Sequence, residues 1–460
     1  MGREINEAQH TWLAGELAAW CERGIVTAPQ AEAVLGLYGT TEDFRQRRQS
    51  KAMLTLLSLA VLLVGLGVLL LIGYNWEEMP AAAKVIAVFA SVVAAHGVGI
   101  TLRSKPGLRG GSEAAFFFGC LLYGAGIWLL AQVFHVRAHD PDGFWWWAVG
   151  VLPFALALDT LLMHTLLVGL LAVWAGYEVI GFGSAGAWFF GRFPALPNGA
   201  YSLPFLAAPG LRWAYRKESA RAVALYVPLI AWWVILQPIA WRFGANPVYF
   251  VGTVGALLLL AAEAHRVASP MAIPYRFYGA VLIAGSLIPL SYQETNHAVG
   301  RPEQVFLGLL QTLAIVGLAV VVLAGVVVVR RRSRPAPVPV AEEALELARR
   351  QWLPCGLIAL MAGLGLWSAV DGEALVATLL ANAAMVVFSL WLMHVGLRED
   401  RGVPFAAGVA YFLLWAVLRY IDLFGVFGGM LGAASVFFLC GATLFGVAYF
   451  WRRRKEVLHA

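Results

Sequence analysis

Along the 460 residues, runs of about twenty almost purely apolar positions alternate with short polar breaks. A hydrocarbon layer of about 30 Å is crossed by roughly 20 residues of helix, and an open strand cannot satisfy its backbone groups there. The pattern therefore predicts an all-α fold, a polytopic membrane helical bundle. Spans are expected near 53–74, 81–102, 113–134, 144–163, 165–185, 198–215, 221–241, 247–264, 275–292, 304–329, 353–370, 374–396, 403–423 and 427–451, about 14 transmembrane helices. The breaks around the fourth, fifth and sixth are the faintest.

Two polar stretches depart from this rhythm. Ahead of the first span, "LAGELAAWCERGIVTAPQAEAVLGLYG" reads as two short helices. The first carries Leu13, Leu17 and Trp20 at helical spacing and stops at Gly24. The second starts at Thr27-Ala28-Pro29-Gln30, a Thr-x-x-Gln capping box with proline in the first turn. This small N-terminal cytoplasmic helical hairpin is too small to hold a catalytic core alone. At 330–352, "RRRSRPAPVPVAEEALELARRQW" combines a basic stop, a stiff proline-alternating linker and one charged helix. The expected organisation is a hairpin over 1–45, a membrane domain of about ten spans over 53–329, a cytoplasmic linker and helix over 330–352, a four-span domain over 353–451 and a basic tail over 452–460.

Composition agrees with the pattern: 60% of residues are hydrophobic and 13% charged, against about 25% charged in soluble chains. Cys21, Cys120, Cys355 and Cys440 lie far apart with no CxxC, so they read as reduced packing residues, and no metal or cofactor is expected. The net charge of +6 does not indicate nucleic acid, because the positive side chains lie between hydrophobic runs. Alternate breaks hold 25 Lys and Arg in one set and 6 in the other, an imbalance that a wrong span count would scramble. Cytoplasmic loops retain positive charge, which predicts both termini in the cytoplasm and 136–143 and 293–303 outward, in a bacterial inner membrane. The first fifty residues hold no short apolar core followed by a small-residue cleavage site, so removal of a signal peptide is not expected.

At the hairpin positions Trp20, Gly24, Ile25, Gln30 and Tyr38, in the "NWEE" after the first span and in the "AQVFH" closing the third, the chain resembles a known family. It is the bacterial predicted-membrane-protein family catalogued as domain of unknown function 2157, and the resemblance covers roughly residues 10 to 155. The late "LRYIDLFG" looks like the C-terminal part of longer members. The resemblance implies a multi-span bacterial membrane protein and brings no activity, ligand or site residue.

Ionisable groups inside spans are costly and usually face a bundle interior or a water-filled cavity, so they mark the candidate site. They gather at the ends predicted to face outward. Asn75, Trp76 and Glu77 close the first span, where a capped, snorkelling turn with the Trp76 indole as interfacial anchor is the plainer reading. Gln132 and His135 end the third; His135 and His139 are four apart, but Pro141 and Gly143 end the helix, and a hydrated loop is the plainer reading. Glu178 has no partner within its own helix and must be satisfied by another span or titrate. Arg419 and Asp422 share a helical face three residues apart and can neutralise each other, or the arginine can answer an anionic ligand. These eight residues are the cavity and ligand candidates.

Three functions fit. The preferred one is transport or flipping of a polar or amphipathic solute through an outward-facing polar cavity. The alternatives are a non-catalytic scaffold or sensor that docks a cytoplasmic protein through residues 10–40, and an enzyme acting on a lipid-linked substrate. Membrane lipids are the expected partners in every case, nucleic acid is not, and the oligomeric state is not legible.

Overall fold

The computed structural model describes residues 7–37, 59, 63, 79–105, 107–135, 140–181, 197–243, 246–265, 269–296, 302–333, 339–370, 372–424, 438 and 441. Apart from single positions, the expected spans at 53–74 and 427–451 lie outside the described residues, as does the tail at 452–460. Every element among the described residues is helical.

In the N-terminal unit, α1 (Glu7–Glu22) ends just before Gly24, whose φ of +70° is the left-handed turn that glycine adopts freely. The second helix, α2 (Ala28–Gly36), starts at Thr27, whose N–H donates to Gln30 Oε1 at 2.9 Å, one half of the anticipated capping box. The two helices pack on each other, and Leu17 and Ala31 are buried.

Beyond Pro80 come α3 (Ala81–Arg103), α4 (Arg109–Val133), α5 (Asp140–Leu158) and α6 (Leu161–Gly176), the last passing into a π-helical turn at Tyr177–Gly181. They are followed by α7 (Leu203–Arg216), α8 (Ala220–Ala240), α9 (Val248–Ala262), α10 (Ala272–Leu290) and the single turn α11 (Gln293–Asn296). The rest are α12 (Pro302–Ser333), α13 (Val340–Arg350), α14 (Trp352–Ala369), α15 (Ala374–Arg398) and α16 (Gly402–Phe424). Nine helices among the described residues are long and apolar enough to cross a membrane.

Three expected spans differ from this set. Residues 198–215 form only the 14-residue α7, and 247–264 only the 15-residue α9. At about 1.5 Å per residue neither reaches 30 Å. The fourth, expected over 144–163, is α5, which stops at Leu158 because Asp159 turns left-handed at φ +61°. Asp159 is held there by Trp213 Nε1 and Lys217 Nζ, each 2.6 Å from its carboxylate.

Two large apolar cores, with smaller clusters beside them, fill the described part of the bundle. One is built by α4 to α8 around Met163, Leu167, Leu171, Leu203 and Tyr226. The other is built by α9, α10, α12, α14, α15 and α16 around Tyr249, Ile283, Met361, Met385 and Phe388. Helix α8 joins them, giving Val223 and Leu236 to the first and Ala231 to the second. Where α9 meets α10 the backbones nearly touch: a Cβ on Gly255 would fall 2.8 Å from the carbonyl oxygen of Gly279. Only glycine permits that approach.

The basic linker marks a boundary in sequence, yet packing continues across it, since α14 and α15 share a core with α9 and α10. Charged groups near it are drawn inward. Arg330 donates to Glu343 Oε1 at 2.7 Å and lies 3.4 Å from Glu263. Arg276 stands 3.7 Å from Glu263 and 3.2 Å from Glu399, and Arg350 stands 3.6 Å from Glu263. Glu343 and Glu263 are buried. Three guanidinium groups around Glu263, and Arg330 on Glu343, offset the desolvation of these charges. The network ties together the end of α9, the start of α10, the end of α12, helix α13 and the end of α15. It defines one arginine-rich end of an antiparallel bundle.

Candidate functional site

At the opposite end of the same helices, polar side chains go below the surface. Helix α10 ends at Ser291, whose hydroxyl donates to Ile288 O at 2.7 Å. The short α11 then folds Asn296 back into the bundle. Its amide donates to Leu290 O at 2.7 Å and to Thr378 Oγ1 at 2.9 Å, and its Oδ1 accepts from the Tyr249 hydroxyl at 3.1 Å. One turn along α15 from Thr378, Asn382 donates to Ser291 O at 3.0 Å and accepts from Trp415 Nε1 at 2.9 Å. A buried amide left unbonded costs about 1–3 kcal/mol, and these two have used both ends of their side chains. The result is a polar seam across α9, α11, α15 and α16.

Arg419 heads the seam. Its Nη1 donates to Asp422 Oδ2 at 2.8 Å, its Nη2 donates to Ser291 Oγ at 3.2 Å, and the guanidinium lies 4.7 Å from the centre of the Tyr292 ring. The Nε is buried and has no hydrogen-bond partner among the described residues. Exposure within the pair is unequal, 10% for the arginine side chain and 44% for the aspartate. A buried cation thus faces a counter-ion that water already reaches. Such a site can exchange its carboxylate for an incoming anion.

The other candidates are placed differently. Asn75, Trp76 and Glu77 lie outside the described residues, as does His139. Gln132 and His135 are exposed at the end of α4, where His135 adopts φ +49°. Glu178 is buried in the π turn, a kind of helix defect frequent at functional sites. It takes a hydrogen bond from Asn198, which also donates to the Glu178 carbonyl at 3.1 Å. The next residue, Gly199, accepts from Trp233 and Gln237 at 2.9 and 3.1 Å. The partner required by Glu178 comes from the segment leading into α7. Of the candidates, only Arg419 and Asp422 meet each other in a resolved contact, and the seam adds Tyr249, Ser291, Tyr292, Asn296, Thr378, Asn382 and Trp415. The signal available in the sequence was an amide or hydroxyl inside an apolar run, as at Asn382 and Thr378. Single neutral polar groups are common in spans, so it was not read.

No curated protein and no solved structure matches the chain. Residues 18–164 match the family described as predicted membrane protein (DUF2157). The match runs from α1 into the start of α6 and ends before the seam. Nine helices among the described residues are of membrane-spanning length, two of them within the match and a third starting at its end, so this chain is a multi-span membrane protein similar over residues 18–164 to the family of predicted membrane proteins DUF2157.

Proposed function

We propose that this protein binds a polar or amphipathic anion at Arg419 and moves it across or within the membrane, with the seam below as a path of hydrogen-bonding groups. The observation that carries the reading is the buried guanidinium whose counter-ion Asp422 is half exposed. A carboxylate or phosphate ester entering from the water would replace Asp422 at Nη1 and take up the buried Nε. Nothing need be expelled except a side chain that water solvates well. The 25-to-6 distribution of Lys and Arg favours a bacterial inner membrane with the arginine-rich end in the cytoplasm and the Arg419 end outward.

The test is a thermal-shift and liposome-uptake panel of carboxylates, phosphate esters and labelled lipids on purified protein. At least one anion should stabilise the wild type and be taken up. Asp422→Asn should respond to that anion more strongly, since it no longer competes, and Arg419→Gln should not respond. Equal responses in wild type and Arg419→Gln, or a weaker response in Asp422→Asn, would overturn the reading.

A further inference from the structure

A polar concavity lies at the arginine-rich end, in the part of the bundle built by α3 to α7. It is a recess of about 470 Å³ lined by Arg103, Arg109, Glu113, Asp159, Trp213 and Lys217, with Leu156 to Leu158 along one wall. That volume falls in the range of about 300–1,000 Å³ typical of small-ligand sites.

Its charges are unequally committed. Lys217 is taken by Asp159 at 2.6 Å, and the other oxygen of Asp159 is taken by Trp213. Arg103 and Arg109 carry no ion pair or hydrogen bond among the described residues, and Glu113 is the sole remaining acid in the wall. Two guanidinium groups therefore stand over the recess beside a single free carboxylate. Arg109 is also the first residue of α4, so the unsatisfied N–H groups of that helix open on the same side.

The wall behind is rigid. Trp213 is held by Asp159 on its nitrogen and by the His164 ring stacked on its face at 3.9 Å. His164 is fully buried and bonded through Nδ1 to the Tyr226 hydroxyl at 2.7 Å. A Cβ on Gly210 would fall 1.9 Å from that hydroxyl, so the glycine is what admits the tyrosine.

The recess lies where membrane-length helices end. Leu156 is 38% exposed within its wall, and Ile100, Leu108, Leu161 and Leu162 are exposed on the helices and turns around it. Cations level with helix ends, an indole held at the same level and apolar side chains just below match the layered chemistry of a phospholipid. We propose that this recess binds the phosphate-bearing headgroup of an anionic lipid, with Arg103 and Arg109 on the phosphate and the acyl chains descending past Leu156. The proposal is independent of the solute reading at Arg419, which concerns the other end of the molecule.

The experiment measures lipid binding to the full-length protein in detergent by native mass spectrometry and thermal shift. The probes are phosphatidylglycerol, phosphatidylcholine and free glycerol 3-phosphate. Phosphatidylglycerol should bind and stabilise, with the other two at least tenfold weaker. The double variant Arg103→Gln/Arg109→Gln should lose at least tenfold in phosphatidylglycerol affinity, while Arg103→Lys/Arg109→Lys should keep most of it, a comparison that holds for any folded variant. Arg398→Gln, an exposed arginine at the same end outside the recess, should change nothing. Undiminished binding in the double glutamine variant overturns the site, as does an equal loss in Arg398→Gln. Equal binding of glycerol 3-phosphate overturns the lipid.

Discussion

Arg419 and Asp422 share a hydrogen bond but not an environment, and the asymmetry predicts which substitution costs more. Asp422→Leu leaves a guanidinium buried with only Ser291 and Tyr292 beside it, which should cost about 2 kcal/mol, below the range of a fully buried pair because the aspartate is half exposed. Arg419→Leu leaves the charge that water already reaches and should cost roughly 1 kcal/mol or less. Thermal unfolding of the two variants in detergent checks the order, and a larger loss for Arg419→Leu would refute it. Asp159 offers a second residue-scale case, at the opposite end. The hydrogen bond from Lys217, with help from Trp213 and the lysine charge, holds its carboxyl below the usual carboxylate range against the opposing effect of burial. The stabilisation is complete above the ordinary carboxylate value and is lost as pH falls through the lowered one. The melting-point difference between wild type and Asp159→Asn should therefore be full near about pH 6 and shrink progressively as pH falls below the ordinary carboxylate value of about 3.9.

At the scale of an element, α13 shows why an amphipathic helix outside the apolar runs is not simply a solvated connector. It buries Leu347 with Val326 and Val327 of α12, and it sends Glu343 inward to Arg330. Removing the arginine leaves Glu343 and Glu263 as buried carboxylates that have each lost a guanidinium. Arg330→Met should cost about 3 kcal/mol or more, and adding Glu343→Gln should recover a substantial part of it. A melting point in the double variant no higher than in Arg330→Met would mean that α13 is held by its apolar side alone. The short α9 belongs to the same account. Its last turn runs into Glu263, on which three arginines converge, so the helix stops where the charge network begins.

For the whole molecule, the antiparallel course of α9 to α16 separates an ion-paired end from a polar-seam end, and the orientation we propose puts the ion-paired end in the cytoplasm. Single cysteines at Val340 and Gln293, both exposed and at opposite ends, test this in a background lacking Cys21, Cys120, Cys355 and Cys440. In intact cells an impermeant maleimide should label position 293 and spare position 340. The reverse pattern would invert the topology, and with it the side from which an anion reaches Arg419.

Helix positions were legible in the chain because the length of an apolar run is a local property. The run at 81–102 becomes Ala81–Arg103 and the run at 374–396 becomes Ala374–Arg398. The Arg419–Asp422 pair was legible for the same reason, being three residues apart on one helix. The Thr-x-x-Gln start of α2 was too, its geometry spanning a single turn. What needed the tertiary structure was every contact whose partners are remote in sequence. Asn296 and Thr378 stand 82 positions apart, Arg419 and Ser291 128, and Arg330 and Glu263 67. Apolar periodicity says that a helix spans lipid, but its faces are nearly equivalent in a medium as apolar as the side chains themselves, so it does not say which face meets which neighbour. That choice falls to close glycine contacts and buried polar pairs, and these exist only once the helices have packed.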